Sequence, residues 1–254
     1  MRLTKKNYHS TAANRKYWSA SQVKAFMRCP AAAMYDTEPA TSTALMVGAY
    51  VDAALTSQKE LKQFRVQHPE IINKRTGELK AEYQKADEMI ARTKSDRLFR
   101  EYTRGRKQVI RTGQIGGLPF KIRMDFYRKG ERIVDLKTAR DLRPAYRKDE
   151  GTVTFADVWE WPLQMAIYQA VEGNRLPCYL AVVTKEDPPD LAIVEIPQNI
   201  LDAEIERLLD MLPRFDAMKQ GIIPAPRCEC CAYCRRTKKL TAPVQLPDFI
   251  DYGL

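Results

Sequence analysis

The stretch from Leu118 to Thr138, LPFKIRMDFYRKGERIVDLKT, constrains this chain more than any other, because alternation alone assigns its side chains to faces. From Phe120 the period is two. Phe120, Ile122, Met124 and Phe126 are expected on one face, and Lys121, Arg123, Asp125 and Tyr127 on the other. Arg128 to Glu131 reads as a turn in which Gly130 supplies positive φ, and Arg132 to Lys137 reads as the returning strand. Asp135 and Lys137 stand two apart, so both project from one face. If that face also carries Asp125, the hairpin presents two carboxylates and an ammonium together. Such oxygen ligands suit Mg²⁺ or Mn²⁺, and a neighbouring lysine can orient an attacking water or stabilise charge on a phosphoryl group. An isolated Asp-x-Lys is ordinarily an exposed ion pair, so the surrounding sequence has to decide.

Three further features do so. Asp125, Asp135 and Lys137 on paired strands resemble the core of the PD-(D/E)xK nucleases. Gln164 and Tyr168 in WPLQMAIYQAV resemble the QxxxY element of the RecB-like branch of that superfamily. Upstream, ALMVGAYVDAAL (Ala44 to Leu55) resembles the helix of that branch in which a glycine is followed four residues later by a histidine ligand. Here the glycine is Gly48 and the later position is Asp52, which makes the expected ligand set all oxygen. Together with the strand pair between Val182 and Pro197 and the C-terminal cysteines, the chain is similar to the exonuclease VIII (RecE-like) group of phage and prophage proteins, from about Ser19 to Ile250.

That resemblance implies an α/β fold with a central mixed sheet, a meander carrying the metal site and flanking helices, as in restriction endonucleases. It implies a metal-dependent deoxyribonuclease, 5′-to-3′ on linear double-stranded DNA, that supplies single strands to an annealing protein and works as a ring-shaped homo-oligomer. Asp52, Asp125, Asp135 and the Leu136 carbonyl would hold Mg²⁺ or Mn²⁺, Lys137 would serve the attacking water, and Gln164 and Tyr168 would steer the strand. Two other readings remain: a nucleic-acid-binding module that has lost cleavage, which the intact Asp125, Asp135 and Lys137 oppose, and an endonuclease or adaptation-type nuclease.

Composition agrees with a polyanionic partner. The 254 residues carry 42 Lys and Arg against 32 Asp and Glu, a net charge of +10. No apolar run approaches the roughly 20 residues of a membrane span, and MRLTKKNYHS has no signal-like apolar core, so a cytoplasmic protein away from membranes is expected. No linker divides the chain. Residues 1–18 read as a loose basic arm and 19–254 as a single nuclease domain.

Within that domain, Ser19 or Ser21 is expected to cap a helix over Gln22 to Cys29, with helices also over Leu45 to Leu55, Lys80 to Leu98 and Ile200 to Lys219. Lys107 to Ile115 extends the hairpin into a meander, and Cys178 to Val183 and Asp190 to Ile196 are further strands. Basic residues bracket the meander: the segment Arg100 to Lys107, and then Arg140, Arg143, Arg147 and Lys148, are candidates for backbone contacts.

Six cysteines in a chain without a secretory signal argue for metal or reduced thiols over disulfides. Cys228, Cys231 and Cys234 form a Cys-x₂-Cys-x₂-Cys series that needs a fourth ligand. Likeness to RecB-like nucleases of the iron–sulfur type implies Cys29 and a 4Fe-4S cluster stapling the chain ends. Cys230 with Zn²⁺ is the competing arrangement, and free thiols are the third. Cys178 is expected in the core, and Arg235, Arg236, Lys238 and Lys239 form a basic cap beside the cluster.

Overall fold

The strand-turn-strand pattern read from Leu118 onward forms the middle of a five-stranded sheet. This computed structural model describes residues 1–37, 42–147, 151–240, 242, 243 and 245; Lys148 and the last residues, 246–254, lie outside that set. The strands are β1 (Arg106–Ile115), β2 (Leu118–Arg128), β3 (Arg132–Ala139), β4 (Ala145–Arg147), β5 (Gly151–Val153), β6 (Cys178–Thr184) and β7 (Leu191–Ile196). The main sheet has the order β1-β2-β3-β6-β7, and β4 and β5 pair separately. All of its pairings are antiparallel except β3 with β6. A parallel pair needs a long crossover, and here it contains a helix.

The helices are α1 (Thr11–Lys16), α2 (Ala20–Arg28), α3 (Pro30–Tyr35), α4 (Thr43–Thr56), α5 (Gln58–Gln67), α6 (Ala81–Ser95), α7 (Arg97–Tyr102), α8 (Trp161–Glu172), α9 (Gln198–Lys219) and α10 (Ala232–Thr237). Helix α8 is the crossover. It opens with Pro162 in its first turn, where no N–H is needed, and stops at Gly173, whose φ of 90° suits a left-handed cap. Both faces of the sheet are covered. One core joins α2, α8 and α9 to the sheet through Val23, Phe26, Ile122, Met165 and Leu208. The other joins α4, α6 and α7 through Val51, Met89, Phe99, Val134 and Val183. The architecture is therefore mixed α/β, with a mixed central sheet flanked by helices. No helix among the described residues is long and apolar enough to cross a membrane.

The N-terminal residues depart from the expected loose arm. Ser10 caps α1, Tyr8 is buried, and Trp18 bridges to Phe120. Lys121, from the polar face of β2, is buried against this segment and donates to the Tyr8 carbonyl and to Asn14 Oδ1. Desolvation pulls its pKa down to about 8. The polar face of β2 thus meets chain where solvent was expected.

Helix α4 starts at the Ser42 cap and approaches β3 closely at Gly48, where a Cβ would lie 3.2 Å from Thr138 Oγ1. A branched side chain there forces the helix back. We expect Gly48→Val to cost about 1–3 kcal/mol by overpacking and to weaken the site that Asp52 enters one turn later. Thermal melting reads the first effect; an unchanged Tm would show that α4 can shift freely.

Candidate active site

The site lies where β2 and β3 part. The two strands are paired only at their turn end, Phe126 to Arg128 against Val134 to Arg132, although both continue beyond it. Asp125 stands at this fork, and its Oδ2 accepts a hydrogen bond from Leu136 N at 2.9 Å. The carboxylate satisfies a backbone donor that a regular ladder would have used.

Strict alternation fails at the same point. Met124 and Tyr127 share the core on the α8 side, whereas Phe126 packs in the opposite core. The expected grouping of Phe126 with Phe120, Ile122 and Met124, and of Tyr127 with Asp125, is corrected accordingly. No residue is inserted, since Lys107 still faces Phe126 and Val109 faces Met124. Between them, Gln108 has a φ of 53°, unusual for a residue with a side chain.

Gln108 is buried, and its Nε2 donates to Asp52 Oδ1 at 2.9 Å and to Asp125 Oδ1 at 3.2 Å. Asp52 therefore points from α4 toward the fork and meets Asp125 across one neutral amide. Nothing in the sequence marked Gln108; its role depends on the local backbone twist. Burial, then repulsion from Asp135 and Asp52, pushes Asp125 well above the usual carboxylate range. Burial also raises Asp52, to about 6, against the opposing attraction of Arg123.

Asp135 enters from β3 on the α8 side and is almost fully buried. Its Oδ1 accepts from Gln164 Nε2 at 3.0 Å, and its Oδ2 lies 2.5 Å from Lys137 Nζ. That short ion pair lacks the geometry of a hydrogen bond, which leaves Oδ2 as a buried oxygen with no hydrogen-bond donor. Gln164 Nε2 also donates to Tyr168 Oη at 3.2 Å, and Gln164 Oε1 accepts from Lys137 Nζ at 3.2 Å. The structure thus brings the Gln164–Tyr168 pair onto Asp135 and Lys137, and the ammonium of Lys137 lies 5.4 Å from the centre of the Trp161 ring.

A second lysine joins them that sequence reasoning missed. Lys24, from α2, donates to Gln164 Oε1 at 3.0 Å and to the Trp159 carbonyl at 3.2 Å. Desolvation, then repulsion from Lys137, lowers its pKa to about 7. Its only sequence signal was a lysine on the otherwise apolar side of a short amphipathic helix.

The donor chemistry is that of a hard divalent cation: three carboxylates supply oxygen, one of those oxygens is buried without a hydrogen bond, and two of the acids share a single neutral donor. Among the described residues only the cysteines bring three or more candidate ligand atoms within 4.8 Å of one another, so the three acids would have to draw together around an ion. Leu136 offers its N–H to Asp125 and sits beside the same fork.

The cysteines form a separate centre. The Sγ atoms of Cys29, Cys228, Cys231 and Cys234 all lie within 4.8 Å of one another. Cys29 to Cys234 is 3.6 Å and Cys228 to Cys234 is 3.9 Å. These separations are close to the roughly 3.8 Å between thiolates on one tetrahedral ion with bonds of about 2.3 Å, and an iron–sulfur cube requires the thiolates to open further. Cys230 is exposed and lies beside Cys228, so the N-terminal cysteine, not Cys230, completes the group. Against desolvation, the backbone N–H groups of Cys230 and Cys231 bring Cys228 down to about 6. Arg235 of the basic cap donates to the Cys230 carbonyl and Arg236 pairs with Asp36, which fastens α10 over the centre. Cys178 is buried in the core of the sheet.

A mixed sheet with acids and a lysine at a fork of its central strands defines the class: this is the restriction-endonuclease-like PD-(D/E)xK nuclease fold. Residues 19–237 match the model of the PDDEXK-like domain of unknown function (DUF3799), and the chain belongs to that family. The crystal structure of a protein from Eubacterium rectale, described as a putative exonuclease, is 36% identical with a TM-score of 0.94, covering 100% of both chains. The crystal structure of a protein called SSO0001 aligns at 16% identity over 84% of this chain and 92% of its own, with a TM-score of 0.30. No curated protein matches this chain.

Two measurements test the centres. Asp52 has a folded pKa of about 6 against an ordinary 3.8, so its favourable contribution is complete below about pH 4 and is lost as pH rises through 6. Metal-free Asp52→Asn should therefore be more stable to unfolding than the parent at pH 7.5, by roughly 1–3 kcal/mol, and the difference should vanish near pH 4. A gap independent of pH would mean that Asp52 ionises freely. The cysteine centre should hold metal in protein purified without air, either about one zinc per chain or a brown iron–sulfur chromophore, and Cys29→Ser should lower both metal content and Tm. Four free thiols with no metal would remove the centre.

Proposed function

We propose that this protein is a Mg²⁺-dependent DNA exonuclease that degrades linear double-stranded DNA from its ends, 5′-to-3′, and leaves single strands for an annealing protein. The observation that carries this reading is the convergence of Asp52, Asp125, Asp135 and Lys137 on one fork, with Gln164 joining two of them. The crystal structure described as a putative exonuclease supports it at 36% identity over the full length.

Asp52, Asp125 and Asp135, with the Leu136 carbonyl, would hold Mg²⁺ or Mn²⁺. When bound, such an ion polarises a phosphoryl oxygen and lowers the pKa of coordinated water. Lys137, anchored between Asp135 and Gln164, is placed to hydrogen-bond the attacking water and to offset charge on the phosphorus oxygens. Gln164 keeps that ammonium directed, and Lys24 adds a second positive charge on the same amide oxygen. Tyr168 Oη accepts from Gln164 Nε2 and keeps its own proton to offer, so that it would steer the strand. The four-cysteine centre, as a 4Fe-4S cluster or Zn²⁺ site, ties the two ends of the chain together at α3 and α10. Action in the cytoplasm and assembly into a ring-shaped homo-oligomer complete the reading taken from the RecE-like resemblance.

Purified protein with Mg²⁺ should release nucleotides from linear duplex and leave closed circles intact. A 5′ label should be released before a 3′ label. Nicking of circles would make the protein an endonuclease, and no cleavage of either form would leave a binding module. Lys137→Ala should abolish cleavage and retain DNA binding; undiminished cleavage would take the lysine out of the chemistry.

A further inference from the structure

Beside the acid site lies an open groove of about 940 Å³. Its walls carry Lys94 from the end of α6, Arg97 and Arg100 from α7, Arg104 from the following turn and Lys107 from β1. All five are exposed. The single acid among its lining residues, Glu101, is already shared by Arg104, Arg128 and Arg132. Lys94 and Arg97 point into the groove region with no ion pair among the described residues. The groove is therefore net positive: Arg104 is paired with Glu101, and Lys94 and Arg97 keep their charge for a ligand.

Its position follows from two local constraints. Lys107 Nζ donates to the Leu55 and Thr56 carbonyls at the end of α4, which joins the groove wall to the helix that carries Asp52. Lys107 also immediately precedes Gln108, the amide between Asp52 and Asp125. On the other side, Gly105 has a φ of 132°, and a Cβ there would lie 2.7 Å from the Tyr127 carbonyl. Only glycine lets the turn press against β2, so Arg104 and Lys107 are held at fixed places on the groove edge. Its wall includes Ala54 and Leu55, within one turn of Asp52 on α4.

We propose that this groove seats the phosphodiester backbone of the DNA strand next to the phosphate held in the acid site. A row of guanidinium and ammonium groups on a rigid edge suits successive phosphates and reads no sequence. The assignment deepens the nuclease reading above and takes from it the identity of the polyanion.

The test separates binding from cleavage. Equilibrium binding of a short fluorescein-labelled duplex is measured in EDTA against salt concentration, for the parent and for a variant with Lys94→Gln, Arg97→Gln and Arg100→Gln. A control variant neutralises Lys74, Arg75 and Lys129, exposed cations outside the groove. Each lost phosphate contact lowers the log–log salt slope by about 0.9, so the groove variant should lose roughly 2–3 in slope and at least tenfold in affinity at moderate salt, with the control unchanged. Equal slopes in parent and groove variant, equal losses in both variants, or a parent that binds no duplex would each overturn the assignment. Cleavage by the parent in Mg²⁺ is scored separately. A cleaving parent with an unaffected groove variant sinks the groove alone, and a parent that binds through the groove but does not cleave sinks the nuclease reading alone.

Discussion

The hydrogen bond from Leu136 N to Asp125 Oδ2 is what permits β2 to leave β3 in the middle of the sheet. A fork between central strands exposes backbone donors and acceptors to a low-dielectric interior, where an unmade bond costs on the order of 1–3 kcal/mol. The Asp125 carboxylate covers one side of that deficit. On the other, Trp18 N donates to the Pro119 carbonyl and Lys121 N donates to the Trp18 carbonyl, each at 2.8 Å. The N-terminal segment thereby completes an edge that β3 has abandoned. The opening that admits chemistry and the packing of the chain's first residues are consequences of the same departure of two strands.

Charge within the fork is managed by neutral amides. Gln108 lies between Asp52 and Asp125, and Gln164 lies between Asp135, Lys137 and Lys24. An amide can donate to an acid with one end and accept from an ammonium with the other, so it holds like charges at a workable spacing without adding charge. Raised carboxylate pKa values at Asp52 and Asp125 and a lowered one at Lys24 record the strain of this arrangement, with burial the leading cause in each. The cysteine centre bears on the same balance from a distance. Helix α2 carries Lys24 near its middle, and Cys29, the residue at its end, belongs to the thiol group. The anchor at Cys29 therefore sets where α2 lies over the acid site.

Much of the architecture could be read from residue order. Alternation located the meander, the serine cap at Ser19 bounded a helix, and the spacing of Gln164 and Tyr168 placed both on one turn. These are local signals, each set by contacts within a few residues, and a linear pattern carries them intact. Alternation put Asp135 and Lys137 on one face, and the family resemblance, not local pattern alone, singled them out with Asp125. Folding in three dimensions decided what no local pattern encodes. The phase of β2 changes at Asp125 because the strands diverge there, and that divergence depends on the Leu136 bond and on Trp18, a hundred residues away in the chain. Gln108 and Lys24 came to lie among the candidate site residues, and Cys29 rather than Cys230 joined the thiol group, because distant elements were packed against one another. Residue order assigns side chains to faces; only the closed core determines which faces meet, since burial, the dominant favourable term in folding, is a property of the whole molecule.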